Sequence, residues 1–412
     1  MPEELSTPEA WLCPYDWYAQ MRETDPIRYD DSRDVWDLFG YADIDEVLDD
    51  TETFSSDPTV AADVDLPPED ERSPVFETML LSDPPDHDRL RGVVEDWFRP
   101  RALAERQSRI ETIAENLVDD VIEAGEMDLI DEFAAPLPII VIAELLGVPS
   151  EDRAQFRRWS ETLIETPVDR SEAALEEFRQ RQERATDDLI EYFETKLDER
   201  RADPREDLLS VIIHAEDEGE TLSHEEAVGL CLLLLVAGNI TTTNLIGNAM
   251  RCLTAHPDEL ARLDGDLNLL PTAIEEVLRY RSPVQALARV ATRDAEIDGH
   301  QIDRGDLITL WLGSANRDPE AFEAPEAFRV DRTPNPHLGF GRGTHYCMGA
   351  PLARLEANVG LTELFSRVTD IERAPTELEP VRSAFIYGVR SFPVTFTPRE
   401  PTAPSEPTGA EE

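Results

Sequence analysis

The stretch His337–Ala357, HLGFGRGTHYCMGAPLARLEA, reads as a glycine-rich loop that presents one cysteine, Cys347, and turns directly into a helix. Gly339, Gly341, Gly343 and Gly349 crowd together, so the backbone can approach something flat or bulky and take positive φ where a turn demands it. Past Cys347, Ala350, Leu352, Ala353 and Leu355 follow helical spacing, with Pro351 early in the segment, where a helix start tolerates it. A thiol just before a helix faces the positive end of the macrodipole and several unpaired N–H donors. The expectation is a lowered thiol pKa and a thiolate.

Such a thiolate could be a nucleophile, a zinc ligand or a haem axial ligand. Zinc wants about four N/S ligands, usually in CxxC or HxxxH pairs. The chain has no such pair, and His345-x-Cys347 alone is a poor half-site. A nucleophile wants a base at hand, and His345 could serve. The spacing Phe340-Gly341-x-Gly343-x-His345-x-Cys347-x-Gly349 is more specific. It resembles the haem-thiolate signature of the cytochromes P450, with every fixed position present.

Composition bounds the surroundings. The 412 residues carry a formal charge of −51, and 37 of the 38 basic residues are arginine, Lys196 being the one lysine. Such a surface repels itself in dilute buffer and needs the screening that molar salt supplies. It looks like a halophile's cytoplasmic protein, and nucleic acid and anionic membranes are disfavoured partners. Cys13, Cys231, Cys252 and Cys347 are scattered without disulfide-like spacing, as in a reducing compartment. MPEELSTPEA carries no export signal, and the longest apolar runs, Leu232 to Ala237 and Leu137 to Ala143, are far short of a membrane span. No membrane anchor is expected.

Near the N-terminus a helix-like WLCPYDWYAQMRE precedes a strand pair, Ile27–Tyr29 and Val35–Phe39; residues 57 to 72 read as a solvated loop. Ser82–Arg91, SDPPDHDRLR, opens a helix on which His87 and Arg91 share a face. Arg99, Arg101, Arg106 and Arg109 then form a local positive cluster, a docking patch for an acidic electron carrier or mere helix-face balancing. Residues 103 to 197 are mostly helical, and 169 to 201 read as an exposed helix.

Ser223-His224-Glu225-Glu226 is a capping box that starts a long helix to about Ala255, ended by Pro257. Its middle is apolar all round, hence buried. Ala237-Gly238-Asn239-Ile240-Thr241-Thr242-Thr243 is odd there on propensity grounds. Threonine hydroxyls can bond the i−4 carbonyl and bend the helix, and Ala237 and Gly238 remove bulk where something could lie against it. Glu276-x-x-Arg279 sits on another helix, and residues 288 to 311 read as short strands with turns at Asp298-Gly299 and Arg304-Gly305. Strands from Phe385 and Phe392 follow the cysteine helix. Residues 399 to 412 lack core formers and read as a disordered tail.

The resemblance covers residues 11 to 398 and implies one large catalytic domain (residues 1 to 398): mainly helical with small β-sheets, haem b (iron protoporphyrin IX) lying between the long helix and the cysteine loop. Cys347 would ligate iron. His87, Arg91, Arg289 and His345 would hold the propionates, and Phe340 and Gly341 would line the cofactor loop. Ala237, Gly238 and Thr241 would form the oxygen-side surface, with Thr241 hydrogen-bonding bound O2. Glu276–Arg279 would be a buried structural ion pair joined by Arg329 or Arg332. The implied activity is monooxygenation of an apolar substrate, with electrons from a separate ferredoxin and ferredoxin reductase. Phe76, Met79, Leu80, Val284, Leu287, Phe385 and Ile386 are the substrate-contact candidates.

One position departs from the family pattern: the acid before the threonine is Ile240. Isoleucine carries no proton, so Asn239, a water chain or the substrate would relay it, or the enzyme uses peroxide, or it catalyses an isomerisation or dehydration. A haem-binding sensor without turnover is the alternative of another class.

Overall fold

The computed structural model describes residues 2–61, 73–167, 169, 171–217 and 222–399. Its axis is the helix His224–Ala255, 32 residues, or ~48 Å at 1.5 Å per residue. The capping box is made in both directions: the Ser223 hydroxyl accepts from the Glu226 N–H, and the Glu226 carboxylate accepts from the Ser223 N–H. The Glu226 carboxylate also receives Arg89, at 3.0 and 2.6 Å, which ties the Asp86–Val94 helix to the start of the central one. By length and composition the central helix could cross a membrane, but 67% of its most apolar window is buried inside the fold. Around it pack the helices Pro136–Leu146, Leu270–Tyr280 and Ala350–Arg367.

The described strands are β1 (Ile27–Asp30), β2 (Val35–Leu38), β3 (Phe54–Ser55), β4 (Glu126–Asp128), β5 (Leu287–Ala291), β6 (Ala295–Ile297), β7 (His300–Ile302), β8 (Leu307–Leu310), β9 (Val368–Arg373) and β10 (Pro393–Pro398). One sheet has the order β1-β2-β8-β5-β3, with β2 parallel to β8 and the other pairs antiparallel. N-terminal and late segments thus share a sheet, and β5 carries Leu287 and Arg289 on one face of it. A second sheet is β4-β10-β9, and β6-β7 is a hairpin turning at Gly299, φ +82°. The fold is mainly helical with small sheets, as expected.

Glu276 and Arg279 are fully buried and paired through two bonds of 2.7 and 2.8 Å. The joining arginine is Arg332, whose Nε lies 3.0 and 2.9 Å from the two Glu276 oxygens; Arg329 contributes only its backbone N–H. Arg332 also donates to three carbonyls, of Glu323, Ala324 and Ala327, so the triad staples the segment before the cysteine loop to the Leu270–Tyr280 helix.

Three readings need correction. The N-terminal helix is two helices, Pro8–Leu12 and Tyr15–Thr24, interrupted at Cys13-Pro14 because the residue before a proline is pushed out of the helical region. Phe385 lies outside any strand; its neighbour Ile386 makes an isolated bridge to Val284, and the closing strand begins at Pro393. Arg399 is tied down, its Nε donating to the carbonyls of Phe365 and Val368 at 3.1 and 3.0 Å. The rest of the expected tail, 400–412, and residues 62–72 of the expected loop lie outside the described residues.

Candidate functional site

The cysteine loop is folded by its own backbone. Gly341 and Gly343 have φ of +68° and +64°, and a Cβ at Gly343 would sit 3.0 Å from the Leu48 carbonyl oxygen. The Cys347 N–H donates to the Phe340 carbonyl at 2.9 Å. The Sγ receives the backbone N–H groups of Gly349 and Ala350, the open donors of the helix that starts at Ala350. Burial nevertheless raises the thiol, and those donors, with Arg91 and Arg354, only partly oppose it. The expected lowered pKa is therefore wrong in direction: desolvation outweighs the helix end. The residue is nonetheless exposed to solvent, so the desolvation comes from the crowd of loop and helix atoms around the sulfur, not from full enclosure.

Phe340, half-buried, is flanked by the Arg354 guanidinium, 4.6 Å from its ring centroid. Glu275 holds Arg354 by bonds of 2.7 and 2.8 Å and lies 3.0 Å from His337 Nε2. Nothing in the linear sequence near Cys347 pointed to Glu275. Gly341 lies close to Leu287, 3.9 Å from the place its Cβ would take.

His87, buried, meets His345 edge to face with ring centroids 4.6 Å apart. The His345 Nε2 has no hydrogen-bond partner; Asp83, at 3.9 Å, is too far for one. Burial, aided by Arg289 and His87 and opposed by Asp83, lowers the His345 pKa and favours neutral imidazole. Asp83 accepts from the Ser55 hydroxyl and the Ser56 N–H, which places it beside both His345 and Arg289, a role that no local pattern in the sequence marks. Arg91 does not join this group directly: its Nη1 donates to the Tyr346 carbonyl at 3.0 Å and braces the loop next to Cys347.

Arg289 is 4% exposed. Its Nη1 donates to the Ala288 carbonyl at 2.7 Å, while Nε and Nη2 have no partner. Burial pushes it down to about 10, with only Asp83 opposing. Six arginines are buried among the described residues: Arg200, Arg251, Arg279, Arg289, Arg317 and Arg332. Arg200, Arg279, Arg317 and Arg332 each face a carboxylate; Arg251 and Arg289 do not.

The central helix opens at one place. Ala237 is exposed and Gly238 and Thr241 are partly so, as are Leu233, Val236 and Thr243, in a helix most of whose middle is buried. The Thr241 hydroxyl donates to the Ala237 carbonyl at 2.9 Å. Ile240 is 8% exposed. Asn239 is turned away, its amide donating to Ser160 Oγ and the Leu235 carbonyl, each at 3.0 Å, so its side chain is no relay on the Thr241 face. Of the substrate-contact candidates, Val284 and Ile386 are bridged, Met79 is buried, and Leu80 and Phe385 are exposed. Phe76 lies in a turn packed on the first half of the central helix.

The arginine cluster is half neutralised. Arg99 pairs with Glu95 and Asp96 and Arg109 pairs with Glu144, whereas Arg106 lies over Trp97 without an acid. That is charge balancing at two of the four positions.

These residues fit a haem. An accessible sulfur with two N–H donors, a buried arginine without an acid and an imidazole nitrogen without a partner are the complement of an iron and its anionic side groups.

The "Cytochrome P450" family description matches residues 163–370. The chain is 42% identical to the putative cytochrome P450 YjiB of Bacillus subtilis, over 92% of this chain and 93% of that one. It is 39% identical to the erythromycin C-12 hydroxylase of Saccharopolyspora erythraea, over 92% and 93%. Its structure resembles that of CYP109E1 from Bacillus megaterium in complex with testosterone, with a TM-score of 0.89, 40% identity and coverage of 94% and 99%. With enzymes as its relatives, the sensor reading falls away. The chain belongs to the cytochrome P450 family and is an oxidoreductase of its monooxygenase kind.

Proposed function

We propose that the protein is a haem-thiolate monooxygenase that inserts one oxygen atom from dioxygen into an apolar organic substrate. Electrons come from a separate ferredoxin and its reductase, in a cytoplasm of high salt. Haem b, when bound, supplies the oxygen activation that no side chain can perform. The observation that carries the reading is the Cys347 loop: an accessible sulfur under two backbone N–H groups, beside a buried arginine that no carboxylate neutralises.

Cys347 would hold the iron, and the N–H groups of Gly349 and Ala350 would disperse negative charge on its sulfur. Burial raises the thiol, and the positive field of Arg91 and Arg354 opposes that and favours the thiolate. Arg289 and neutral His345 would hold the propionates, with His87 packed on the His345 ring and Arg91 bracing the loop. Ala237 and Gly238 make room on the oxygen side. Thr241 donates to the Ala237 carbonyl and so leaves its oxygen lone pairs toward the opening.

The proton route is the unusual part. Ile240 cannot carry a proton and Asn239 is turned to Ser160, so water or a substrate hydroxyl delivers it to Thr241. The same observation favours a second reading, peroxide-driven turnover, because peroxide brings its own protons.

A spin-state titration of the ferric protein in molar salt tests the proposal. The probes are fatty acids, terpenoids, small aromatics, steroids and macrolides, the last two suggested by the ligands named for similar proteins. A saturable shift toward high spin names the substrate class. No shift with any of them, together with product formed from peroxide alone, moves the assignment to the second reading.

A further inference from the structure

Arg251, the other buried arginine without an acid, lies elsewhere. It is on the central helix ten residues past Thr241, ~15 Å along the axis. Its Nη1 and Nη2 reach Asn248 Oδ1 at 3.2 Å and the Tyr387 hydroxyl at 3.3 Å, and its Nε has no partner. Arg281, at the end of the Leu270–Tyr280 helix, shares a cleft with it, and the Arg281 carbonyl accepts from the Asn248 amide whose oxygen receives Arg251. No hydrogen bond or ion pair to the Arg281 guanidinium is made among the described residues, and its neighbours are the phenols of Tyr15, Tyr280 and Tyr387 and the thiol of Cys252. In a chain with 89 acidic and 38 basic side chains, two such guanidiniums without a carboxylate are conspicuous.

Both line one cleft of about 940 Å³. Its walls include Leu12, Leu260, Phe365, Leu378 and Phe392, so the basic end adjoins an apolar body. Three carboxylates also line it. Asp264 is occupied by Arg399, and Asp370 and Glu372 are exposed on β9, with neither arginine within ion-pair distance. Arg373 stands beside them on β9, exposed and donating to the Thr376 carbonyl, so the rim is mixed but net acidic around the two inner arginines. None of the residues placed around the haem takes part.

We propose that this cleft is a second ligand site, taking an organic carboxylate with an apolar body, its head group received by Arg281 and Arg251. Two guanidiniums offer a carboxylate charge-assisted, bidentate contacts, and the ligand repairs a charge imbalance that the protein leaves open. The acidic rim repels such a ligand in dilute buffer; molar salt screens the rim more than the buried contact. Binding therefore belongs to high-salt conditions.

Cys13 lines the cleft and is exposed, which gives a local readout that is independent of haem chemistry. The holoenzyme in molar potassium chloride is alkylated with N-ethylmaleimide, and the rate is followed on the peptide containing Cys13. Decanoate should slow the reaction by about tenfold or more, as charge-assisted binding over an apolar wall implies. Decanol, which has the tail without the charge, and acetate, which has the charge without the tail, should leave it within about twofold. Arg281→Met should abolish the protection, and Arg281→Lys, which keeps the charge at this half-buried position, should keep part of it. An unprotected Cys13 in saturating decanoate, or protection that survives Arg281→Met, overturns the proposal.

Discussion

Replacing Arg289 by methionine separates a haem ligand from a structural arginine by the sign of its effect. With no carboxylate partner, burial holds this guanidinium at about 10, well below the ordinary arginine value. At ~1.36 kcal/mol per pKa unit, its charge costs on the order of 3 kcal/mol at neutral pH when no anion is bound. The folded-state pKa lies below the unfolded one, so the unfolded chain holds the extra proton from about pH 10 up to the ordinary arginine value, and stability climbs across that window; below it the whole penalty is present. Arg289→Met removes the penalty and loses one bond to the Ala288 carbonyl, worth ~1 kcal/mol. The haem-free variant should therefore gain roughly 2 kcal/mol in urea unfolding. The haem-loaded variant should lose its cofactor to an apomyoglobin scavenger about 10- to 100-fold faster, the value of a charge-assisted contact. A structural arginine would weaken both forms. Destabilisation of the haem-free protein, or unchanged haem transfer, refutes the reasoning.

Despite burial, the donors Arg354 and His337 hold Glu275 down to about 2, so its contribution is present above 4.5 and drains away as pH falls toward 2. Glu275→Gln should flatten the stability-versus-pH curve over that acid window; an unchanged slope contradicts this. Glu276→Gln leaves Arg279 and Arg332 facing each other at a buried site. It should cost ~3–5 kcal/mol in thermal or urea unfolding, and a loss below ~1 kcal/mol would mean that the triad is unimportant. Ile240→Glu, which enters a buried position and so arrives protonated, should raise product formed per reductant consumed by roughly twofold or more. Coupling that does not move would mean that the missing acid limits nothing.

Local sequence revealed whatever a short run of residues decides. The glycine loop at 339–349, the capping box at Ser223 and the strands of residues 288–311 are set by backbone demands within a few positions, and all were legible. The resemblance assigns His87 and His345 to the same cofactor, but their ring contact is not legible in sequence, because 258 positions separate residues whose rings touch. Asp83, Glu275 and Arg354 were missed as site-shaping residues because charged residues are abundant in this chain, and only the fold selects which of them meet. The thiol expectation failed for a related reason: a helix start is visible in sequence, whereas the depth of burial around Cys347 is not. The arginines of residues 99–109 looked like a patch in one dimension, but Glu144 reaches Arg109 from another helix. Pro14 is the local signal for the break between the two N-terminal helices.

The claim that Cys347 ligates a haem is tested most directly by the ferrous–carbon monoxide difference spectrum of the purified protein in molar salt. The account predicts the long-wavelength thiolate band in the wild type and its loss in Cys347→Ala. A wild-type spectrum without that band, or a Cys347→Ala spectrum that keeps it, would contradict the assignment of the axial ligand and, with it, the proposed monooxygenase chemistry.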